Sequence, residues 1–469
     1  MSDCKTSASS NDHLSSVHYE GPENHQEKEA LESNENSDVD HEPISPSSKD
    51  GAIDPFGQPP DGGLNAWLKV LGCFLIYSNI WGFTLTFGAF QTYYQHDFLK
   101  DSSPSAISWI GTVQSWLLIL VGVLSGPLFD LGWFRPMLVI GNLFVVFGIF
   151  MLSLCKTYWQ VFLAQGVCMG LGAGLLYVPS LALVGLSFSS KRAIAQGIVT
   201  SGIAVGGVAY IISFDHITTS SGFGWAVRTM GFIAMGICAI AFPALLYGTS
   251  LLAKARPARK LYDFSAFKES NFNIFTACTC STFLGYIVPY FFLPTFCQDV
   301  LDISQTFALY ILVMGIGASF FGRLAAGAIA HSIGPLLCWF CCALASGVLS
   351  LCWMAVDSQS GIIVFSVLWG FCSAGLVTLP ATVFPSLCPD SSRLGTRMGM
   401  SWGISSFASL IGSPIAGALL GHNGEGVKQQ RSDFLGPQLW AGICLLVGAV
   451  TIAALYVLTY RRRRVGFFI

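Results

Sequence analysis

The chain has 469 residues, 53% hydrophobic and 11% charged, with a mean hydropathy of +0.60. A soluble protein carries about a quarter charged residues, so this composition excludes a water-soluble globule and demands lipid. The net charge of −2 averages two unlike parts: residues 1–60 hold 13 Asp and Glu against 3 Lys and Arg, the remainder 13 against 21.

Residues 1–60 are rich in Ser, Asn, Glu and His, with almost no aromatic side chains. Such a stretch buries too little apolar surface to offset its ordering entropy, which predicts a disordered acidic tail. It lacks the basic start and apolar centre of a signal peptide. From Trp67 onward, twelve mainly apolar runs are each long enough to cross a bilayer as a helix. Their approximate limits are Trp67–Tyr94, Ala106–Phe129, Met137–Leu154, Val161–Leu186, Ala193–Ser213 and Ala226–Leu252, then Phe272–Phe296, Ser304–Ala330, Pro335–Val356, Ile362–Phe384, Gly395–Leu420 and Leu439–Tyr460. The expected organisation is a first six-helix half over 61–253, a basic linker over 254–271, a second half over 272–460 and a basic tail over 461–469.

Charge sets the orientation. An even number of spans puts both termini on one side, and 14 Lys and Arg fall there, against five on the other. Basic residues concentrate on the cytosolic side, so both tails and the linker are expected there. The plasma membrane is the expected location, with a vacuolar or other internal membrane as the alternative.

The two halves repeat. Ala173-Gly-Leu-Leu-Tyr-Val-Pro179 recurs 201 residues later as Ala374-Gly-Leu-Val-Thr-Leu-Pro380, and at that offset Gly126 and Asp130 fall on Gly327 and His331. Ser189-Ser190-Lys191 with Gly197 matches Ser391-Ser392-Arg393 with Gly399 at an offset of 202. A chain duplicated in this way places its substrate near the midplane between halves and rocks one half against the other.

One charge stands inside the eighth run. Arg323 lies seven residues from Ala330, roughly 10 Å inside that helix end. An arginine at the centre of a membrane helix costs about 2.5–3.5 kcal/mol on insertion scales, so it faces a polar cavity or a partner. Glycines 315, 317, 322 and 327 flank it and would let neighbouring helices approach closely. Asn79, Tyr286, Tyr290 and Trp369 are the further cavity candidates, with Tyr77 and Gln114 behind them. Asn79 leads, since an amide in mid-span needs a partner or water. Prolines 289 and 294 would loosen span seven and free backbone groups for a cavity. Aromatic rings beside one arginine suit a planar or ring-bearing anion. Apart from Asp130, the runs carry no acidic residue away from their ends, so no Asp or Glu is expected to relay protons; a proton would travel on the substrate or on His331.

Gly126-Pro-Leu-Phe-Asp130-Leu-Gly-Trp-Phe-Arg135, after span two, resembles the loop signature of the major facilitator superfamily. The fold implied is an all-α membrane protein of twelve transmembrane helices in two parallel-repeat halves. Asp130 and Arg135, with Lys191 and Arg192, then form a charge latch that holds one conformation and releases in the other. Asp61-Gly62-Gly63 before Trp67 resembles the entry motif of the monocarboxylate-porter family. Lys191-Arg192-Ala-Ile-Ala-Gln-Gly197, leading into Gly202, Gly206 and Gly207, resembles its second signature. Gly285-Tyr286-Ile-Val-Pro289-Tyr290 is similar to span seven of its fungal branch. Membership implies secondary transport of small organic acids. Lactate carriers of that family have a span-one lysine and an Asp–Arg pair in span eight. Here Arg323 matches the arginine, Ser319 stands where the Asp would be, and Lys69 sits at the edge of span one, positioned to snorkel.

The glycine run from Gly170 to Gly174 lies inside a span and makes no nucleotide site. Fourteen of the 15 cysteines lie in the membrane body, and Cys338 and Cys341 have no histidine pair nearby. They read as small hydrophobes, not as zinc or redox ligands. The expectation is a transporter, not an enzyme, with no cofactor or metal, acting as a monomer on a small organic anion in the bilayer and binding no nucleic acid. Arg323, Ser319, Asn79, Tyr286, Tyr290 and Trp369 would hold the anion, an acidic secondary metabolite undergoing efflux. The alternatives are an uptake permease for a monocarboxylate or a ring vitamin such as riboflavin, and a transport-like membrane sensor.

Overall fold

A computed structural model describes residues 62–188, 191–247, 261–388, 393–420 and 429–465, without the side chains of 192, 193 and 460–465. The acidic tail, residues 254–260 of the basic linker and the side chain of Arg192 therefore lie outside the described residues. Among those described, twelve helices are long and apolar enough to span a membrane. They are α1 (Leu64–Phe98), α2 (Pro104–Asp130), α3 (Phe134–Leu152), α4 (Tyr158–Gly185), α5 (Ile194–Ser221) and α6 (Phe223–Leu246), then α7 (Ser270–Asp299), α8 (Gln305–Ile333), α9 (Pro335–Ala355), α10 (Gln359–Ser386), α11 (Leu394–Leu420) and α12 (Arg431–Thr459).

Local chemistry sets the ends. Ser103 caps α2 by accepting from the Ala106 N–H at 3.2 Å, and Pro104 follows at the first helical position, where no N–H is needed. Gly222 and Gly334, at φ 82° and 90°, turn α5 into α6 and α8 into α9, a backbone conformation that side chains with a Cβ resist. The regular helix of α7 breaks between Tyr286 and Val288, just ahead of Pro289, where proline removes a donor and crowds the preceding turn.

The helix pairings repeat. Among the first six, α1 packs on α5 and α6, α2 on α4, and α3 on α6; among the last six, α7 packs on α11 and α12, α8 on α10, and α9 on α12. Adding six to each helix number maps the first set onto the second. Between the sets, α2 packs against α11, α5 against α8, and the distal part of α1 against that of α7.

Three expectations change. Span five was expected to stop at Ser213, yet α5 runs on to Ser221 and carries Asp215 in a buried position. Hydropathy ends a span at its first polar cluster, whereas a polar turn facing another helix needs no lipid contact. Lys69 does not snorkel; it is buried by neighbouring side chains. Of the glycines around Arg323, Gly315 and Gly322 press against the α10 backbone at Ser366, Gly370 and Phe371, while Gly317 and Gly327 have open space beside them.

Candidate substrate site

Helix α8 places Ser319 and Arg323 one turn apart, so both face the same side. Arg323 is 3% exposed; its Nη1 donates to the Ser319 Oγ at 2.6 Å and to the Ser319 carbonyl at 3.2 Å. The Ser319 hydroxyl in turn donates to the Ile316 carbonyl at 2.6 Å. Arg323 Nε has no partner, and no carboxylate pairs with this guanidinium among the described residues. A charge taken out of water and left without a counter-ion is costly. An incoming anion would remove that cost.

Helices α7 and α10 bring the rings to it. Tyr286 meets Tyr290 edge-on at 5.6 Å, and Tyr290 meets Trp369 at 6.1 Å. The Tyr290 hydroxyl is fixed on Ser373 Oγ at 2.9 Å. Both phenols lie close enough to Arg323 to feel its charge. The structure thus gathers Arg323, Ser319, Tyr286, Tyr290 and Trp369 into one place.

Asn79 is not among them. Its Nδ2 donates to the Ala234 carbonyl at 3.2 Å and to Cys238 Sγ at 3.4 Å, while its Oδ1 accepts from the Tyr210 hydroxyl at 2.6 Å. Cys238 continues the chain to Asn142 Oδ1 at 3.1 Å. The amide is committed to α5 and α6 and holds the first six helices together. A polar residue in an apolar run had two possible reasons, and here the structural one applies.

Sequence reasoning missed three residues. Tyr177 of α4 stacks on Trp402 of α11, with centroids 5.9 Å apart and planes 15° from parallel, and Trp81 of α1 meets Tyr177 edge-on at 5.6 Å. This contact crosses between the two sets of helices. Tyr177 sits inside the repeated Ala173–Pro179 segment, which was the available signal. A tryptophan in an apolar helix otherwise looks like packing.

The face opposite the one where α1 begins and α12 ends is closed. There Phe87 packs on Phe291 at 4.6 Å, and the Thr92 and Thr295 hydroxyls lie 2.9 Å apart. His96 reaches Asp299 through Nε2 at 3.1 Å and Gln298 through Nδ1 at 2.9 Å. Ser105 Oγ donates to the Pro414 carbonyl at 2.9 Å, and the Thr306 hydroxyl to Asp215 at 3.2 Å. The Tyr177–Trp402 stack lies farther from that face than any of these contacts between the two sets. Asp215 therefore sits buried at a seam inside α5, which departs from the expectation that, Asp130 apart, the spans carry no acidic residue away from their ends; Asp299, its side chain also nearly covered, ends α7. Of the expected latch, Asp130 ends α2, Arg135 is exposed on the first turn of α3, and Lys191 is exposed just before α5.

A sequence profile of the Major Facilitator Superfamily matches residues 70–387. The chain belongs to that superfamily. It is a multi-pass membrane transporter of small molecules, not an enzyme. It is 40% identical to the MFS-type transporter dbaD of Emericella nidulans, over 84% of this chain and 86% of that one. It is 34% identical to the aspyridones efflux protein apdF of the same organism, over 89% and 82%. The fujikurins efflux protein of Gibberella fujikuroi is 33% identical, over 87% and 86%. Among solved structures, the E. coli fucose:proton symporter FucP superposes with a TM-score of 0.57 at 13% identity, covering 83% of this chain and 98% of that one. That superposition supports the major facilitator fold.

Proposed function

We propose that this transporter exports an acidic secondary metabolite by alternating access, with Arg323 as the anion anchor. The observation that carries the reading is the buried guanidinium, whose carrier helix supplies a hydroxyl and a carbonyl but no counter-charge. The export direction draws on relatives named as efflux proteins. The basic linker and tails support a cytosolic placement of both termini. The closed opposite face supports reading this conformation as the one that opens toward the cytosol, the state that loads an export substrate. Within the superfamily, the Asp61-Gly62-Gly63 and Lys191–Gly197 stretches support a monocarboxylate-porter-like assignment, with Ser319 in place of the acidic partner.

Arginine presents a planar fork to an oxyanion, which the lysine point charge does not reproduce. Arg323→Ala is expected to cut flux per surface molecule by about 10- to 100-fold, and Arg323→Lys to restore little of it, as for loss of a charge-assisted hydrogen-bonded pair. Untargeted profiling of cells and medium, with and without the protein, supplies the flux. An acidic compound that moves from medium to cells when the protein is lost supports export. Normal flux per molecule in Arg323→Ala would sink the anchor.

A further inference from the structure

The hydrogen-bond inventory around the centre is one-sided. Among the described residues, Trp81 Nε1, Trp369 Nε1, Trp402 Nε1 and Arg323 Nε are buried donors without an acceptor. A buried donor left without an acceptor is penalised, so the group that completes this site brings acceptors.

Trp81 and Arg323 lie at related depths. Gly82, next to Trp81, packs against Gly206 and Gly207, and Gly207 packs against Ile316, one turn before Ser319. Seven residues separate Ile316 from Arg323, roughly 10 Å along the helix. A single carboxylate cannot reach both ends of that interval; a flat two- or three-ring frame can. The Tyr177–Trp402 stack offers the frame an aromatic surface, since offset stacking favours ring on ring.

We infer that the transported molecule is a planar conjugated acid whose charge is shared over several oxygen acceptors, such as an enolised 1,3-dicarbonyl or a hydroxyquinone. Arg323 takes one oxygen, the indole N–H groups of Trp81 and Trp402 take others, and the ring lies against Tyr177 and Trp402. This rests on the anchor role of Arg323 and adds what lies beyond it: the site selects for distributed acceptors and a ring. A short unbranched acid would occupy Arg323 alone and leave three donors unmet.

The test uses the full chain, purified in detergent, with three probes in calorimetric titration: 2-hydroxy-1,4-naphthoquinone, 1-naphthoate and decanoate. All three are anions at neutral pH, but only the first carries several acceptors on one ring system. The expected order of affinity places the hydroxyquinone about tenfold above naphthoate, the difference one or two well-placed hydrogen bonds make. Decanoate follows last. Trp81→Phe and Trp402→Phe keep an aromatic ring but remove the N–H, and each should weaken the hydroxyquinone by about three- to tenfold, a larger factor than for naphthoate, which uses only the ring surface. Trp339→Phe is the control, because Trp339 also has an unpartnered Nε1 but packs on Phe275 within the last six helices. It should change neither affinity.

Equal affinity for hydroxyquinone and naphthoate, or an unchanged hydroxyquinone affinity in both phenylalanine variants, overturns the inference. So does failure of both planar probes to bind. The anchor is scored separately: Arg323→Ala should weaken all three anions alike. If Arg323→Ala binds them normally while the two tryptophan variants still lose the hydroxyquinone, the anchor fails and the acceptor-rich ring class stands.

Discussion

The closed seam between α1 and α7 leaves no room for one methyl group. A Cβ on Gly88 would press into the Tyr290 carbonyl oxygen and come within 3.2 Å of Leu312 Cδ2. The first obstacle is backbone, so no rotamer change relieves it; the helices must separate by on the order of 1 Å, or the seam must open. Overpacking of this kind costs about 1–3 kcal/mol, which is about 5- to 150-fold in the ratio of closed to open seam. Because Gly88 and Tyr290 belong to different sets of helices, opening the seam releases the clash without unfolding either set. Gly88→Ala is therefore expected to fold, to favour the conformation open at this face, and to transport poorly. Thr92, fully buried on the same seam beside Thr295, reports the change: a cysteine there, in an otherwise cysteine-free chain, should react with maleimide at least fivefold faster in the Gly88→Ala background. Gly206→Ala is the contrast. Its Cβ would strike the Ser78 backbone inside the first six helices, where rocking gives no relief, so it should fail to accumulate. Unchanged labelling at position 92 together with normal flux in Gly88→Ala would refute the tight seam.

Two further outcomes follow from groups outside the substrate site. Asn79→Ala leaves the Tyr210 hydroxyl without its acceptor, at about 1–3 kcal/mol for a buried group left unpaired; a lower thermal midpoint with normal flux per surviving molecule is expected, and a selective flux loss would return Asn79 to the substrate path. In the segment before α7, the Asp263 carboxyl is held down to about 2 by the Ser265 hydroxyl and then by Arg397. A depressed acid contributes its stability above the unfolded value and loses it as pH falls toward the folded one. The difference in thermal midpoint between the protein and Asp263→Asn should stay constant from pH 7 to pH 5 and vanish only as pH falls from about 4 to about 2; a decline already at pH 6 would contradict it.

The sequence made the scaffold legible because lipid imposes a single strong requirement, long apolar helices, and because duplication left matched segments such as Ala173–Pro179 and Ala374–Pro380. Arg323 was legible for the same reason: one ion in an apolar run has few explanations. The difficulty lay in assigning partners. Asn79 and Arg323 present alike in sequence, as isolated polar groups in spans, and only the fold reveals that Tyr210 and Ala234 satisfy one of them while the other keeps an unpartnered Nε. Asp215 and Asp299 were hidden because hydropathy measures contact with lipid, and seams between helices are not lipid. Trp81, Tyr177 and Trp402 come from three helices far apart in the chain, and their meeting is a property of packing alone.

A carrier that rocks must have its conformations biased by its ligand, and a ligand shifts an equilibrium only by the difference in its affinity for the two states. Arg323, Ser319, Tyr286, Tyr290 and Trp369 all belong to the last six helices, which move together, so contacts with them alone would bind equally in both conformations and bias nothing. Trp81 and Tyr177 belong to the first six. Tyr177 reaches Trp402 only while the two sets lean together at that depth. A molecule that engages Arg323 and also lies against Tyr177 is held more tightly in that arrangement than in one where the stack is pulled apart. Opposing it is the seam on the far face, which includes the neutral Thr92–Thr295 hydrogen bond, the Thr306 hydroxyl donated to the Asp215 carboxyl and the His96–Asp299 pair. Each neutral hydrogen bond there has a net worth of about 0.5–1.5 kcal/mol and each one to a charged group about 1.5–3 kcal/mol, so a few well-placed ligand contacts match several of them. With Arg323 as the proposed anchor, a division of labour follows from that comparison: charge recognition would sit in one set of helices, the ring surface would span both, and coupling between binding and rocking would require a ligand long enough to touch the two at once.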